Sequence, residues 1–206
     1  ESSVSGLTLG KSTNTADITL ASATSISGPV NFYGGQININ QNLTSTGGAT
    51  GDVLLKASSN IIEASSKVIT TNAGDVTLWA DSDGNGTGYI YITGGSGSGI
   101  TSGGGAIFLG GGTNLATGYA KGSETTDTGT DNSGISGVHL RSGSSLLSGG
   151  GNITLRGENV GSSFQQVQAG VMGAGTTLDA GGGKIAIYGK AAGSGSSNAQ
   201  GISRAG

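Results

Sequence analysis

Gly149-Gly150-Gly151-Asn152-Ile153-Thr154-Leu155 returns in form as Gly103-Gly104-Gly105-Ala106-Ile107-Phe108-Leu109 and as Gly181-Gly182-Gly183-Lys184-Ile185-Ala186-Ile187. In each copy three glycines turn a corner, because glycine reaches positive φ without steric cost. A strand follows, with aliphatic residues two apart on one face. Ile153 and Ile185 lie 32 residues apart. Gly137-Val138-His139-Leu140, Gly170-Val171 and Gly201-Ile202 form a second series, spaced 33 and 31 residues. Short segments around Leu147 and Leu178, 31 apart, form a third. One unit therefore holds three short strands and a variable loop.

The same alternation runs back through the N-terminal half. It appears in Asp17-Ile18-Thr19-Leu20, Gln36-Ile37-Asn38-Ile39, Asp52-Val53-Leu54-Leu55-Lys56, Asp75-Val76-Thr77-Leu78-Trp79 and Tyr89-Ile90-Tyr91-Ile92. Units there are shorter: Ile18 to Ile37 is 19, Ile37 to Val53 is 16 and Val53 to Val76 is 23. Three strands per turn with glycine corners predict a right-handed parallel β-helix of about six to eight turns, roughly 30–40 Å long. The expected inward ladders are Ile18/Ile37/Val53/Val76 and Leu20/Ile39/Leu55/Leu78. Residues 1–206 read as a single solenoid segment, with short turns over 1–100 and turns of 31–33 residues over 101–206. Gly201-Ile202 opens a turn that stops at Gly206, so a longer solenoid is expected. The start, Glu1-Ser2-Ser3-Val4, lacks signal-peptide character, which fits excision or processing.

Composition narrows the chemistry. The 206 residues include 44 glycines, one proline, one histidine and no cysteine, which excludes disulfides and thiolate metal sites. Glycine follows no three-residue period and proline is nearly absent, which excludes collagen. The regular placement of aliphatics argues against disorder. A net charge of −3 offers no basic field for nucleic acid. No apolar run approaches the roughly 18 residues of a membrane span, so no membrane insertion is expected.

Val68-Ile69-Thr70-Thr71-Asn72-Ala73-Gly74-Asp75-Val76-Thr77-Leu78-Trp79-Ala80-Asp81 and Gly149-Gly150-Gly151-Asn152-Ile153-Thr154-Leu155 resemble the repeat regions of filamentous-haemagglutinin-like exoproteins, the large adhesins of two-partner secretion. The resemblance covers nearly the whole chain and lies in repeat style, not in a signature site. It implies a secreted or bacterial cell-surface β-helix acting in cell adhesion and biofilm contact. Its partners would be carbohydrate or a host or neighbouring-cell surface. The family's N-terminal secretion domain is not recognisable here.

The sharpest local motif is Asp81-Ser82-Asp83-Gly84-Asn85-Gly86, with oxygen ligands at alternate positions and glycines between them. Asp81, Asp83 and Asn85 are candidate ligands for calcium, although Ile92 stands where a calcium loop of the EF-hand type places its glutamate. A polar turn is the competing reading, and no cofactor is required. The only histidine, His139, alternates outward beside Arg141 as an exposed strand residue with no nucleophile indicated. Asp17, Asp52 and Asp75 precede equivalent strands, so stacking could align them on one edge. Such a row suits a polysaccharide-acting enzyme cleft or a strand-opening turn, and an enzyme is the minority reading.

Trp79, Tyr89, Tyr91 and Phe108 are expected on the outward side of the middle strands, where rings stack on sugars or lie beneath a covering loop. The insertions Gly110–Ser136, Gly157–Ala169 and Gly189–Gln200 follow the same kind of strand and would gather on one side of the rod. Tyr119, Lys121, Glu124, Asp127 and Asp131 are candidate contacts in the longest. The outward centres Thr19, Asn38, Leu54, Thr77, Tyr91, Phe108, His139, Thr154 and Ala186 lack the threonine regularity of an ice-binding face. Exposed strand edges favour end-to-end association of copies. A display rod with weak, multivalent glycan contacts and a purely structural spacer are the two leading readings.

Overall fold

Each alternating segment forms a strand, and successive strands stack in parallel instead of folding back as hairpins. The computed structural model describes residues 4–122, 136–160, 168–191 and 199–205. The first turn carries β1 (Leu7–Leu9), β2 (Ile18–Leu20) and β3 (Thr24–Ile26). The second carries β4 (Val30–Gly34), β5 (Ile37–Ile39) and β6 (Leu43–Ser45), and the third β7 (Val53–Ala57), β8 (Ile61–Glu63) and β9 (Val68–Thr71). The fourth has β10 (Val76–Ala80), β11 (Ile90–Ile92) and β12 (Ser98–Thr101). The fifth has β13 (Ile107–Gly111), β14 (Ala120–Gly122), β15 (Val138–Leu140) and β16 (Ser144–Leu147). The sixth has β17 (Ile153–Asn159), β18 (Gln168–Ala174) and β19 (Thr177–Asp179), and β20 (Ile185–Ala191) and β21 (Ala199–Ala205) follow.

Three parallel sheets result. The first stacks β1, β4, β7, β10, β13, β17 and β20, with β14 pairing along the second half of β17. The second stacks β2, β5, β8, β11, β15, β18 and β21, and the third β3, β6, β9, β12, β16 and β19. The architecture is a parallel β-helix. Seven levels at the usual strand spacing make the first sheet about 30 Å tall.

The core is a set of continuous aliphatic ladders. Val30, Val53, Val76, Ile107 and Ile153 stack in the first sheet, and Phe32, Leu55, Leu78, Leu109 and Leu155 stack beside them, all buried. Ile18, Ile37, Ile61, Ile90 and Val138 form the ladder of the second sheet. The expected ladder Ile18/Ile37/Val53/Val76 therefore joins two different sheets, as does Leu20/Ile39/Leu55/Leu78. Ile37 pairs with Ile61, 24 residues on, and Val53 with Val30, so the apparent 16-residue turn does not exist. Strands of both sheets present the same alternation, and only pairing register separates them.

Corners are built from glycine and from short polar side chains. A Cβ on Gly105 would meet the Gly74 carbonyl oxygen at 2.1 Å, and one on Gly151 would meet the Gly105 oxygen at 2.1 Å. Two rungs can approach this closely only without side chains. The residue before a strand commonly accepts the amide of the rung above. Asp75 N–H donates to Asp52 Oδ1 (2.8 Å), Ala106 N–H to Asp75 Oδ1 (2.7 Å) and Lys184 N–H to Asn152 Oδ1 (2.9 Å) at the first sheet. Gln36 N–H donates to Asp17 Oδ1 (2.8 Å) and Tyr89 N–H to Asn60 Oδ1 (3.1 Å) at the second. Asp17 thus stands at a different corner from Asp52 and Asp75, and the expected single row of carboxylates divides. Inside the next corner, buried hydroxyls bond the carbonyl three residues on: Thr71 to Gly74, Ser102 to Gly105 and Ser148 to Gly151.

Candidate functional site

The residue two places beyond each outward centre of the first sheet forms a row up the outside of the rod. Tyr33, Lys56, Trp79 and Gly110 are in register, and Arg156 pairs with Tyr188 further up. At Gly110 the missing side chain leaves room for the Phe108 ring, whose Cε1 lies 2.6 Å from where a Cβ would be. Arg156 Cβ lies 3.5 Å from the same point, so the Phe108 ring sits between Trp79 and Arg156. Rings and cations share this row, with Lys56 and Arg156 each beside a ring. Lys56 Nζ lies 4.2 Å from the Trp79 ring centre, and the Arg156 guanidinium 4.0 Å from that of Tyr188. These are cation–π distances.

Part of the long insertion joins the row. The chain leaves after Gly111, and Trp79 Nε1 donates to the Gly112 carbonyl at 2.6 Å. It returns through Tyr119, whose ring centre is 4.0 Å from Lys190 Nζ and 5.7 Å from the Arg156 guanidinium. Lys121 Nζ pairs with Glu158 Oε2 at 2.6 Å, and Lys190 Nζ stands 4.0 Å from the same oxygen. Lys56, Lys121, Arg156 and Lys190 therefore lie on this face with Glu158 as the carboxylate among them. At its lower end the row borders a small cavity of about 120 Å³ lined by Tyr33, Lys56, Ser58, Ser82, Asp83 and residues 12–15. Hydroxyls dominate that lining.

Of the four expected aromatics, Trp79 and Phe108 share this face and Tyr89 and Tyr91 do not. Tyr91 belongs to the second sheet, around the corner, where it pairs with His139. Tyr91 is 3% exposed and His139 4%, their ring centres 5.2 Å apart, and Arg141 Nη1 donates to the Tyr91 hydroxyl at 3.3 Å. His139 points outward as the alternation requires, yet it is buried, not exposed as expected. Tyr89 is half-buried at the opening of β11. The outward series read from the sequence likewise mixes the two sheets: Leu54, Thr77, Phe108, Thr154 and Ala186 are on the first, and Thr19, Asn38, Tyr91 and His139 on the second.

The Asp81–Asn85 loop folds on its own hydrogen bonds. Asp81 sits in left-handed backbone (φ 48°) and is buried, with Gly86 N–H donating to its Oδ1 at 3.0 Å and its Oδ2 without a partner. Burial, with a smaller push from Asp83, raises its carboxyl above the ordinary range. Asp83 Oδ1 accepts Asn85 N–H at 3.2 Å and Asp83 Oδ2 accepts Asn85 Nδ2 at 2.9 Å. Asn85 Oδ1 accepts both N–H and Oγ1–H of Thr87. Among the described residues no group of three His, Cys, Asp or Glu side chains is placed to hold a metal ion.

No family model, curated protein or solved structure matches this chain. The insertions do share a corner: the links from β14 to β15, β17 to β18 and β20 to β21 all lead from the first sheet to the second. Strands β17 and β20 run on to Asn159 and Ala191, two residues past the expected starts of those insertions. Glu124, Asp127 and Asp131 lie outside the described residues.

The row itself was hidden in plain sequence. Asp52-Val53-Leu54-Leu55-Lys56, Asp75-Val76-Thr77-Leu78-Trp79, Asn152-Ile153-Thr154-Leu155-Arg156 and Lys184-Ile185-Ala186-Ile187-Tyr188 each end on a ring or a cation at the fifth place. Aligning the glycine corners, and not the aliphatics, brings those fifth places together.

Proposed function

We propose that this chain is a display rod of a secreted or cell-surface bacterial adhesin, and that it holds extended glycans along the outer row of its first sheet. The observation that carries the reading is the continuous row of rings and cations from Tyr33 to Tyr188. Six levels place its ends roughly 24 Å apart. A half-buried strip of this length suits a polymer lying along the rod better than an enclosed small molecule. The C–H faces of sugar rings stack on Trp79, Phe108 and Tyr188, and Lys56 and Arg156 donate to sugar oxygens. Single contacts of this kind are weak. Repetition along a rigid rod supplies avidity without requiring a deep site.

Glycan-array binding of the wild-type chain beside Trp79→Ala tests the reading. Binding to extended glycans is expected, weakened about 3- to 10-fold by loss of one stacked ring. A chain that binds no glycan would leave a structural spacer. The Trp79 indole bond to Gly112 and the internal cation–π pairs support that second reading, because they stiffen the face without any ligand.

A further inference from the structure

Asn85-Gly86 is the sole Asn-Gly pair in the sequence, and the Asp81, Asp83 and Thr87 side chains of its loop bear on one reaction. The Gly86 amide, the nucleophile in closure of an asparagine side chain onto the following nitrogen, donates to Asp81 Oδ1 at 3.0 Å. The carbonyl oxygen to be attacked, Asn85 Oδ1, accepts from Thr87 N–H at 2.9 Å and Thr87 Oγ1–H at 2.6 Å. The leaving nitrogen, Asn85 Nδ2, is oriented by Asp83 Oδ2 at 2.9 Å. Gly86 has no side chain to shield its nitrogen, and a Cβ built on it would meet nothing within 4 Å. A base, a pair of oxyanion donors and an orienting carboxylate thus surround one amide.

We propose that Asn85 is a self-modifying site, closing to a succinimide in the folded chain and opening to an aspartyl or isoaspartyl residue. Gly86 N bonds to Asn85 Cγ as its proton passes to Asp81. The negative charge gathers on Oδ1 between the two Thr87 donors. The Cγ–Nδ2 bond then breaks, and the nitrogen recovers the proton from Asp81 through solvent and leaves as ammonia. Water opens the imide at either carbonyl. One ammonia is lost and one water gained, with no oxidant or reductant. The product carries a new carboxylate beside Asp83, which lines the cavity bordered by Lys56, so the charge at that end of the row changes as the molecule ages.

Peptide mass spectrometry on the intact chain, sampled over time at neutral pH, tests this. Trypsin releases Val68–Lys121, which carries Asn85 together with Asn72 and Asn114 as internal standards. Conversion at position 85 is expected on the order of 10²-fold faster in the folded chain than in denaturant, the scale of a positioned general base. Asp81→Asn, which tolerates left-handed backbone, should bring the rate down to the denatured value, and Thr87→Val, a change at an exposed side chain that removes one of the two Oδ1 donors, should lower it. Circular dichroism confirms that each variant is folded, and Thr87→Val decides if Asp81→Asn is not. Equal rates in folded and denatured wild type, or a rate untouched by the folded variants, would overturn the proposal.

Discussion

Glu63 occupies an inward position between Ile39 and Ile92, in a ladder that is aliphatic at Leu20, Ile39, Ile92 and Leu140. It is 1% exposed, its Oε1 accepting Ser98 Oγ–H at 3.0 Å and Gly99 N–H at 2.7 Å while its Oε2 has no partner. Burial pushes its carboxyl up to about 8, against a smaller downward pull from those two donors. In the unfolded chain the group titrates near 4.5, so between 4.5 and 8 the folded chain holds the extra proton. Its contribution is complete below 4.5 and is lost as pH rises through 8. Melting temperature followed across that window should fall with pH in the wild type. Glu63→Gln, neutral throughout, should flatten the slope and melt higher at the alkaline end. A slope unchanged by the substitution would remove Glu63 as its source.

At the scale of the element, the corners constrain the chain more tightly than the strands do. Gly105→Ala pushes a methyl against the Gly74 carbonyl, which belongs to backbone and cannot swing aside. A loss of about 1–3 kcal/mol is expected in denaturant melts, the cost of overpacking a rigid site. Gly86→Ala, with open space around it, would show only the penalty of its positive φ. The glycine triplets made these corners legible, and many strand positions, though not β4 or β8, followed from alternation alone. Assignment of strands to sheets did not, because Ile18-Thr19-Leu20 and Val53-Leu54-Leu55 carry the same pattern yet face different walls of the rod. Loop length, which register leaves free, was the only distinguishing signal. The hydroxyl brackets were readable as Thr71-x-x-Gly74, Ser102-x-x-Gly105 and Ser148-x-x-Gly151, a spacing set by one hydroxyl reaching a carbonyl three residues on. The outer row was legible in part: Trp79 and Phe108 stood out as rings, but Lys56, Arg156 and Tyr188 gain meaning only once register brings them together.

For the whole molecule, the rungs are equal in height and unequal in length. Val53 to Val76 spans 23 residues, Val76 to Ile107 31, Ile107 to Ile153 46 and Ile153 to Ile185 32. Each rung adds one layer to the stack whatever chain it spends outside it. Pulled along its axis by its two ends, such a rod peels one layer at a time, and every layer frees its own length of slack. At about 3.5 Å of reach per freed residue, the extension steps recorded by optical tweezers should be uneven, with the step of the Ile107–Ile153 rung about twice that of Val53–Val76. A trace of uniform steps, or a single cooperative rupture, would contradict layer-by-layer peeling. Under tension the rod would behave as a graded shock absorber, its longest reserve of chain stored toward the C-terminal end of the stack.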